Sequence, residues 1–313
     1  MVRTKPLSLR STYIRTPASA VLAVGLAALF LMSPGCGKEP EPDKPVLEDK
    51  AAHSGNHPVA ETKVWTAERA HTAIKAWNPG YNWDAEFRIE DGKVTGAELT
   101  GAEITDISPL AEMDLTGLDL RGLPVSDISA LKDLPLVELY LENTRVEHLE
   151  ALRGMKLVTL YLSNTRVSDL RPLKGMPLET LSLLGTQVSD ISPLEGAPLK
   201  MLWLNQTEIS DISPIAACPL VSLTLHRTRV SDLRPLSGSG IERLHIGETP
   251  VTDLTPLRDL RLTRLIFTPG RIEEGIDIAR DMTSIQEIGP AFENRMPPEV
   301  FWSMYDKGMF EQE

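Results

Sequence analysis

A 21-residue repeat constrains what this chain can fold into more than any other feature of its sequence. A heptad typified by Val-Ser-Asp-Leu-Arg-Pro-Leu starts eight times at intervals of 21 residues, at Ile104, Val125, Val146, Val167, Val188, Ile209, Val230 and Val251. Ten residues before each heptad begins a second pattern, Leu-x-x-Leu-x-Leu-x-x-Thr, and divergent copies at Val94, Leu115 and Leu262 bring the total to nine coils. In-phase copies of this length indicate a solenoid, in which each unit buries its apolar side against its neighbours.

Each coil is predicted to hold a short strand followed by one tight helical turn. The leucines at the first, fourth and sixth positions include an apolar alternation, which is typical of a strand with one face in the core. The heptad aspartate, such as Asp169, is suited to accept hydrogen bonds from the free N–H groups of the turn, and a proline in the first turn loses no bond. We expect a weaker cap where His148 replaces this aspartate, and a structural role for the ninth-position threonines such as Thr165.

This pattern resembles the short bacterial class of leucine-rich repeats, of about 21 to 22 residues, that is found in internalins. The match runs from Val94 to about Ala279, with Thr in place of the family's Asn at the ninth position. The resemblance implies an α/β solenoid: a right-handed horseshoe with a parallel sheet on its concave face, short helical turns on its convex side, and a cap at each end. It also implies that partners bind the concave face.

The first 35 residues resemble a bacterial lipoprotein signal peptide. Basic residues precede an uncharged apolar run, 18–32, which is too short for a comfortable bilayer span, and small residues then lead to Cys36. The resemblance implies that residues 1–35 are removed, that Cys36 is lipidated, and that the chain is anchored to a membrane in the extracytoplasmic cell envelope. Ordinary secretion and an uncleaved anchor are the alternatives.

Composition divides the rest of the chain into a tether, the repeats and their two caps. Residues 36–63 are rich in Pro, Glu, Asp and Lys, and we predict a disordered tether there. Residues 64–93 are assigned to an N-terminal cap made of a helix and a hairpin, 94–281 to the repeats, and 282–313 to a C-terminal cap. In the first cap, Thr66 is predicted to start a helix with Ala70, Ile74 and Trp77 on one face; in the second, a helix between Met296 and Gly308 is predicted to bury Phe301, Trp302 and Tyr305.

The candidate functional surface follows from the phase of the repeat. Side chains at the third, fifth and seventh positions of each coil point away from the core, and aromatic residues of the kind that anchor interfaces fall on the central stripe. Acidic residues lie toward the start of this face and basic ones toward its end, which would orient a complementary partner. The candidate partner-binding residues are Tyr140, Tyr161, Trp203, Glu138, Glu142, Asn205, His226, Arg243, His245 and Arg264.

Other classes of function have little support. The chain has 32 basic and 44 acidic residues, and the resulting net charge of −12 argues against nucleic acid as a partner. Glu98 and Asp119 occupy one column of adjacent strands, but no cleft is predicted to make them catalytic. His226 and His245 lie on neighbouring strands with Glu248 nearby, and we expect independent surface residues rather than a metal site. No nucleotide-binding, zinc-protease or serine-hydrolase motif is present in the sequence, so we predict no catalytic residue, metal or cofactor.

The sequence therefore predicts a non-catalytic, lipid-anchored leucine-rich repeat protein that binds another protein through its concave face. A glycan or cell-wall binder that stacks sugars on Tyr140, Tyr161 and Trp203 is the first alternative. A structural spacer of the envelope is the second. The fold alone does not choose among them, because one scaffold hosts many partners.

Overall fold

The strands form one sheet in the order of the chain. The computed structural model describes residues 64–99 and 103–310, so the predicted signal peptide, Cys36 and tether lie outside the described residues. The strands are β1 Glu86–Glu90, β2 Lys93–Glu98, β3 Gly117–Asp119, β4 Glu138–Tyr140, β5 Thr159–Tyr161, β6 Thr180–Ser182, β7 Met201–Trp203, β8 Ser222–Thr224, β9 Arg243–Ile246, β10 Arg264–Phe267 and β11 Glu287–Gly289. β1 and β2 form an antiparallel hairpin, and every later pair is parallel, which confirms the predicted sheet.

The 21-residue period of the sequence sets the register of the sheet. Residues 21 apart face each other on neighbouring strands, as Leu160 pairs with Leu139 on one side and with Leu181 on the other. The first, fourth and sixth positions of this coil, Leu157, Leu160 and Leu162, are fully buried. The third, fifth and seventh positions therefore project from the opposite side, which we call the sheet face.

A short 3₁₀ turn follows each repeat strand, and seven of the nine turns in the described residues carry the predicted cap. The turns are Ser108–Glu112, Ser129–Leu131, Glu150–Leu152, Arg171–Leu173, Ser192–Leu194, Ser213–Ile215, Arg234–Leu236, Thr255–Leu257 and Pro269–Arg271. Seven aspartates accept a hydrogen bond at 2.7 to 2.9 Å from the backbone N–H two residues later, at Asp106, Asp127, Asp169, Asp190, Asp211, Asp232 and Asp253. His148 makes no such bond, so the structure confirms both the capping role and its loss in that coil.

The ninth-position threonines stabilise single coils. Each is buried, and its hydroxyl donates to the carbonyl three residues earlier in the same coil, at 2.6 to 2.8 Å, in Thr144, Thr165, Thr186, Thr207, Thr228 and Thr249. A hydroxyl has one proton to donate, and here the donation stays within the coil. The predicted structural role is confirmed: these hydroxyls stabilise their own coil and form no hydrogen bond to any other coil that the structure describes.

The N-terminal cap is joined to the first repeat by one buried side chain. Helix α1, Ala67–Trp77, begins after Thr66, whose hydroxyl accepts from Arg69 N at 3.2 Å. Asn78 ends the helix, and its amide donates to Asp106 O at 2.8 Å while its carbonyl oxygen accepts from Asp106 N at 3.0 Å. The prediction for Trp77 was wrong: it is 58% exposed, because the helix ends there and the capping contact falls to Asn78.

The C-terminal end closes by a strand, a helix and a segment that returns over the sheet. Helix α2, Ile276–Asp281, is followed by β11 and by helix α3, Pro298–Tyr305, which buries Phe301. β11 extends the parallel sheet into the stretch that the sequence analysis assigned to the cap. Residues 290–296, the closing segment, come back to β11, since Ile288 and Met296 exchange backbone hydrogen bonds at 2.9 and 3.0 Å.

Candidate functional site

Three aromatic side chains form a stacked column across the sheet face. Tyr140 and Tyr161 lie opposite each other on β4 and β5, with ring centroids 5.3 Å apart and planes 24° apart. Trp203 lies two strands further, and its ring centroid is 5.8 Å from that of Tyr161. The strand between them carries the small, buried Ser182 at the same position, which leaves room for the two rings to meet. We call Tyr140, Tyr161 and Trp203 the aromatic column.

An arginine closes the first end of the aromatic column. The Arg121 guanidinium lies 5.6 Å from the centroid of the Tyr140 ring, on the β3 side, while Tyr161 covers the β5 side. Asp119 holds this guanidinium with contacts of 2.5 to 3.0 Å, and these bonds raise the pKa of Arg121. Both ring faces of Tyr140 are therefore occupied within the protein, as are those of Tyr161.

The carboxylates of the sheet face lie along the Tyr140 end of the column. Glu138 and Glu142 flank Tyr140 two residues before and after it on the same face. Burial and then the nearby Glu138 raise the pKa of Tyr140 to about 12, and burial also raises the pKa of Glu142. The predicted acidic region is thus assembled, and it surrounds the tyrosines.

The two histidines stack on each other, so the prediction that they are independent surface residues was wrong. Their ring centroids are 4.9 Å apart, because Gly247 beside them carries no side chain to separate them. His226 Nδ1 donates to Gly247 O at 3.0 Å, since a carbonyl oxygen can only accept. His245 is 9% exposed, its Nε2 has no hydrogen-bond partner, and burial followed by the proximity of His226 lowers its pKa to about 4.

The basic end of the sheet face is less charged than its sequence suggests. Arg264 pairs with Glu287 of β11 and lies 5.8 Å from the Phe292 ring of the closing segment. Arg243 is 36% exposed at its side chain and lies 3.9 Å from a Glu242 oxygen. Glu287 was not predicted to contact this face, because it falls in the segment assigned to the C-terminal cap, beyond the last repeat. Of the two arginines, Arg243 therefore has the longer ion-pair distance and is the basic candidate that remains more available to a partner.

The remaining candidate, Asn205, borders the open end of the aromatic column. It lies two residues after Trp203 on the same face, and its Oδ1 is buried without a hydrogen-bond partner. Thr224, opposite Trp203 on β8, has a hydroxyl in the same state. The candidates other than Arg264 thus lie on the same face of the sheet between β4 and β9.

Comparison with known proteins identifies the fold. The sequence matches no protein-family model and no curated protein. Internalin InlF of Listeria monocytogenes is 25% identical, with a TM-score of 0.56 over 70% of this chain and 73% of that protein. Internalin C2 of Listeria monocytogenes is 26% identical, with a TM-score of 0.55 over 64% of this chain and 92% of that protein. PEPR1, solved as PEPR1–AtPEP1, shares the fold at 19% identity and a TM-score of 0.53, over 66% of this chain and 32% of that one.

This chain has the leucine-rich repeat fold. The strand-and-turn unit, its 21-residue register and the likeness to two internalins agree on this architecture, as the sequence analysis predicted. The aromatic column lies on the sheet to which each repeat contributes one strand.

Glu98 and Asp119 face each other in register, but Asp119 is engaged by Arg121. Over residues 64–99 and 103–310, no three His, Cys, Asp or Glu side chains converge as metal ligands, and no helix is long and apolar enough to cross a membrane. Cavities of about 410 and 310 Å³ lie among turns and loops, and one of about 550 Å³ is lined partly by α2; none of their lining residues belongs to the sheet face.

Proposed function

We propose that this leucine-rich repeat protein is a non-catalytic interaction module that binds a protein partner through its sheet face. The observation that carries the proposal is the aromatic column, which places three partly exposed rings at the centre of a rigid sheet. Clustered aromatic side chains that are already ordered lose little entropy on binding and are typical anchors of protein interfaces. The likeness to two internalins supports an interaction role of this kind.

The stacking geometry favours a protein over a glycan. Sugars bind aromatic residues by lying flat on an open ring face, and both faces of Tyr140 and of Tyr161 are covered by neighbours. The edges of these rings remain for contact with side chains and peptide groups of a partner. The tyrosine faces on which a sugar would stack are therefore used within the column.

Loss of the aromatic column is expected to abolish partner capture. A photo-crosslinking residue at position 222, on the sheet face beside Thr224, should give one discrete protein adduct in cells that make the full chain. The double variant Tyr161→Ala/Trp203→Ala should lower the adduct yield about tenfold or more, because interface aromatics contribute roughly 2 kcal/mol or more each. Trp77→Ala, which removes an exposed aromatic away from this face, is the matched control and should leave the yield unchanged.

Two results would overturn the proposed function. One is an adduct whose yield is the same in wild type and in the double variant. The other is saturable retention of the wild-type chain on purified cell-wall glycan that the same double substitution removes. The second result would establish the glycan alternative in place of the protein partner.

We also propose that Cys36 carries a lipid that holds the protein in the extracytoplasmic envelope. The support is the sequence of the first 36 residues, with its basic start, short apolar run and small residues before the cysteine. Intact mass of the protein from its native membrane fraction should show a diacylglyceryl or triacyl addition on Cys36. Cys36→Ala should leave the detergent phase in a partition experiment, and an unmodified wild-type chain in the aqueous phase would contradict the anchor.

A further inference from the structure

The side-chain carboxylate of Glu142 lacks a hydrogen-bond donor at one of its two oxygens. Its Oε2 is buried and accepts no hydrogen bond, and the donor that reaches the group is the backbone N–H of Glu142 itself. Burial holds the pKa of this carboxyl above its ordinary value. The charge of Arg121 offsets part of this cost, but a half-buried carboxylate that forms no ion pair remains disfavoured in its ionised form. A cation that reaches it therefore gains an interaction that the free protein lacks.

The positive charge nearest to Glu142, on Arg121, does not pair with this carboxylate. Arg121 lies at the same position one coil earlier, and its Nε and Nη2 donate to Asp119 at 2.5 to 3.0 Å. No ion pair of Glu142 exists within the residues that the structure describes. Glu138 lies on the other side of Tyr140 and adds a further negative charge, so this part of the sheet face carries three carboxylates for one guanidinium.

The surroundings of Glu142 favour an organic cation over a metal ion. In the described ranges no three ligand-type side chains converge, whereas a divalent ion requires several oxygen or nitrogen ligands at once. The groups beside Glu142 are instead the stacked rings of Tyr140 and Tyr161, whose phenol groups are further acceptors. A guanidinium suits such a place, because it is planar, offers five N–H donors and packs on aromatic groups, as Arg121 does on Tyr140.

We propose that Glu142 is the specificity residue of the sheet face and that it binds an arginine side chain of the protein partner, beside Tyr140 and Tyr161. Glu142 as a whole is only partly buried, so a guanidinium can approach its carboxylate from the solvent side of the sheet face without a backbone change. The inference rests on the proposed function, and it specifies that the partner places an arginine side chain at Glu142. The partner's arginine replaces the solvent that the carboxylate has lost.

The test compares two small probes that differ in charge but hardly in shape. N-acetyl-arginine amide and N-acetyl-citrulline amide are titrated into the full chain, and the ring resonances of Tyr140 and Tyr161 are followed by NMR. The arginine probe should bind at least about tenfold more tightly, because a hydrogen bond to a charged group is stronger than one between neutral groups. Glu142→Gln should remove the difference, and Glu195→Gln, at an exposed position outside the sheet face, should preserve it.

The pH dependence of probe binding gives an independent readout. The ionised carboxylate binds the guanidinium, and the pKa of Glu142 is raised in the free protein. Binding of the arginine probe should therefore weaken as the pH falls toward this raised pKa, and the dependence should vanish in Glu142→Gln. Equal binding of the two probes, or arginine binding that survives Glu142→Gln, would overturn the inference.

The failure of this inference is distinguishable from failure of the proposed function. If Glu142→Gln leaves the position-222 adduct intact while Tyr161→Ala/Trp203→Ala removes it, the sheet face binds its partner without an arginine at this point. If neither variant changes the adduct, the proposed function itself fails. Glu142→Gln conserves shape and breaks no side-chain bond between residues, and its thermal unfolding midpoint checks that the fold is retained.

Discussion

Replacement of Phe301 by alanine is expected to lower the free energy of unfolding by about 3–5 kcal/mol, the range for a large aromatic residue removed from a core. Phe301 is fully buried in α3, and its ring centroid lies 4.9 Å from that of Phe310 and 5.7 Å from that of Phe267 on β10. The ring thus joins the last helix to the end of the repeat sheet. Its loss leaves a cavity where the final coils depend on a cover.

Urea unfolding of Phe301→Ala beside Val300→Ala measures this effect. Val300 precedes Phe301 in the same helix but is 45% exposed, so its truncation should cost less than about 0.5 kcal/mol. Hydrogen exchange should show the largest loss of protection in β10 and β11, because a solenoid transmits a defect to its nearest neighbours first. Equal unfolding free energies for the two variants would show that α3 does not stabilise the repeats.

The sequence predicted the arrangement of the sheet because one period sets both the coil and the register. Once Leu139 and Leu160 are known to be equivalent, parallel pairing places Tyr140 beside Tyr161 without further information. The same logic assigned the capping bonds of aspartates such as Asp169, because an Asp two residues before a free N–H is a local signal.

Side-chain contacts between positions that are not paired by the 21-residue period could not be predicted from that period. The contact of Trp203 with Tyr161 skips a strand, and it depends on the small size of Ser182 rather than on the period. The stacking of His226 on His245 likewise depends on a glycine at position 247. Such contacts depend on residues at which one coil differs in sequence from its neighbours, and the repeat pattern alone does not predict them.

Closure of the ends was the other part that the sequence did not define. Arg264 belongs to the repeat and was predicted to be available to a partner, but Glu287 and Phe292 lie beyond the last recognisable coil. Ile266 is buried for the same reason, since the closing segment packs on Gly289, its neighbour in the register. The sheet face is therefore partly covered at β10, where 30% of the Arg264 side chain remains exposed, and it is centred on the aromatic column.

Gly275→Ala is expected to lower the free energy of unfolding by about 3 kcal/mol, through backbone strain and a collision together. Gly275 has a φ of +78°, in the left-handed region that disfavours side chains, at the start of α2. A Cβ there would lie 2.6 Å from the backbone nitrogen of Thr255 and 2.9 Å from the carbonyl carbon of Leu254. Both are backbone atoms of the preceding coil, so they cannot swing aside as a side chain would.

The matched control for this substitution is Gly196→Ala, which separates the strain from the collision. Gly196 has nearly the same φ, +72°, but a Cβ there would meet no atom within 4 Å, so its replacement should cost only the conformational part, about 1 kcal/mol. The collision at Gly275 should also disturb the cap of Asp253, whose Oδ1 accepts from Thr255 N at 2.7 Å. Unfolding curves that coincide for the two variants would show that the coils move apart freely at this point. A difference of about 2 kcal/mol would show that α2 is held tightly against the preceding coil.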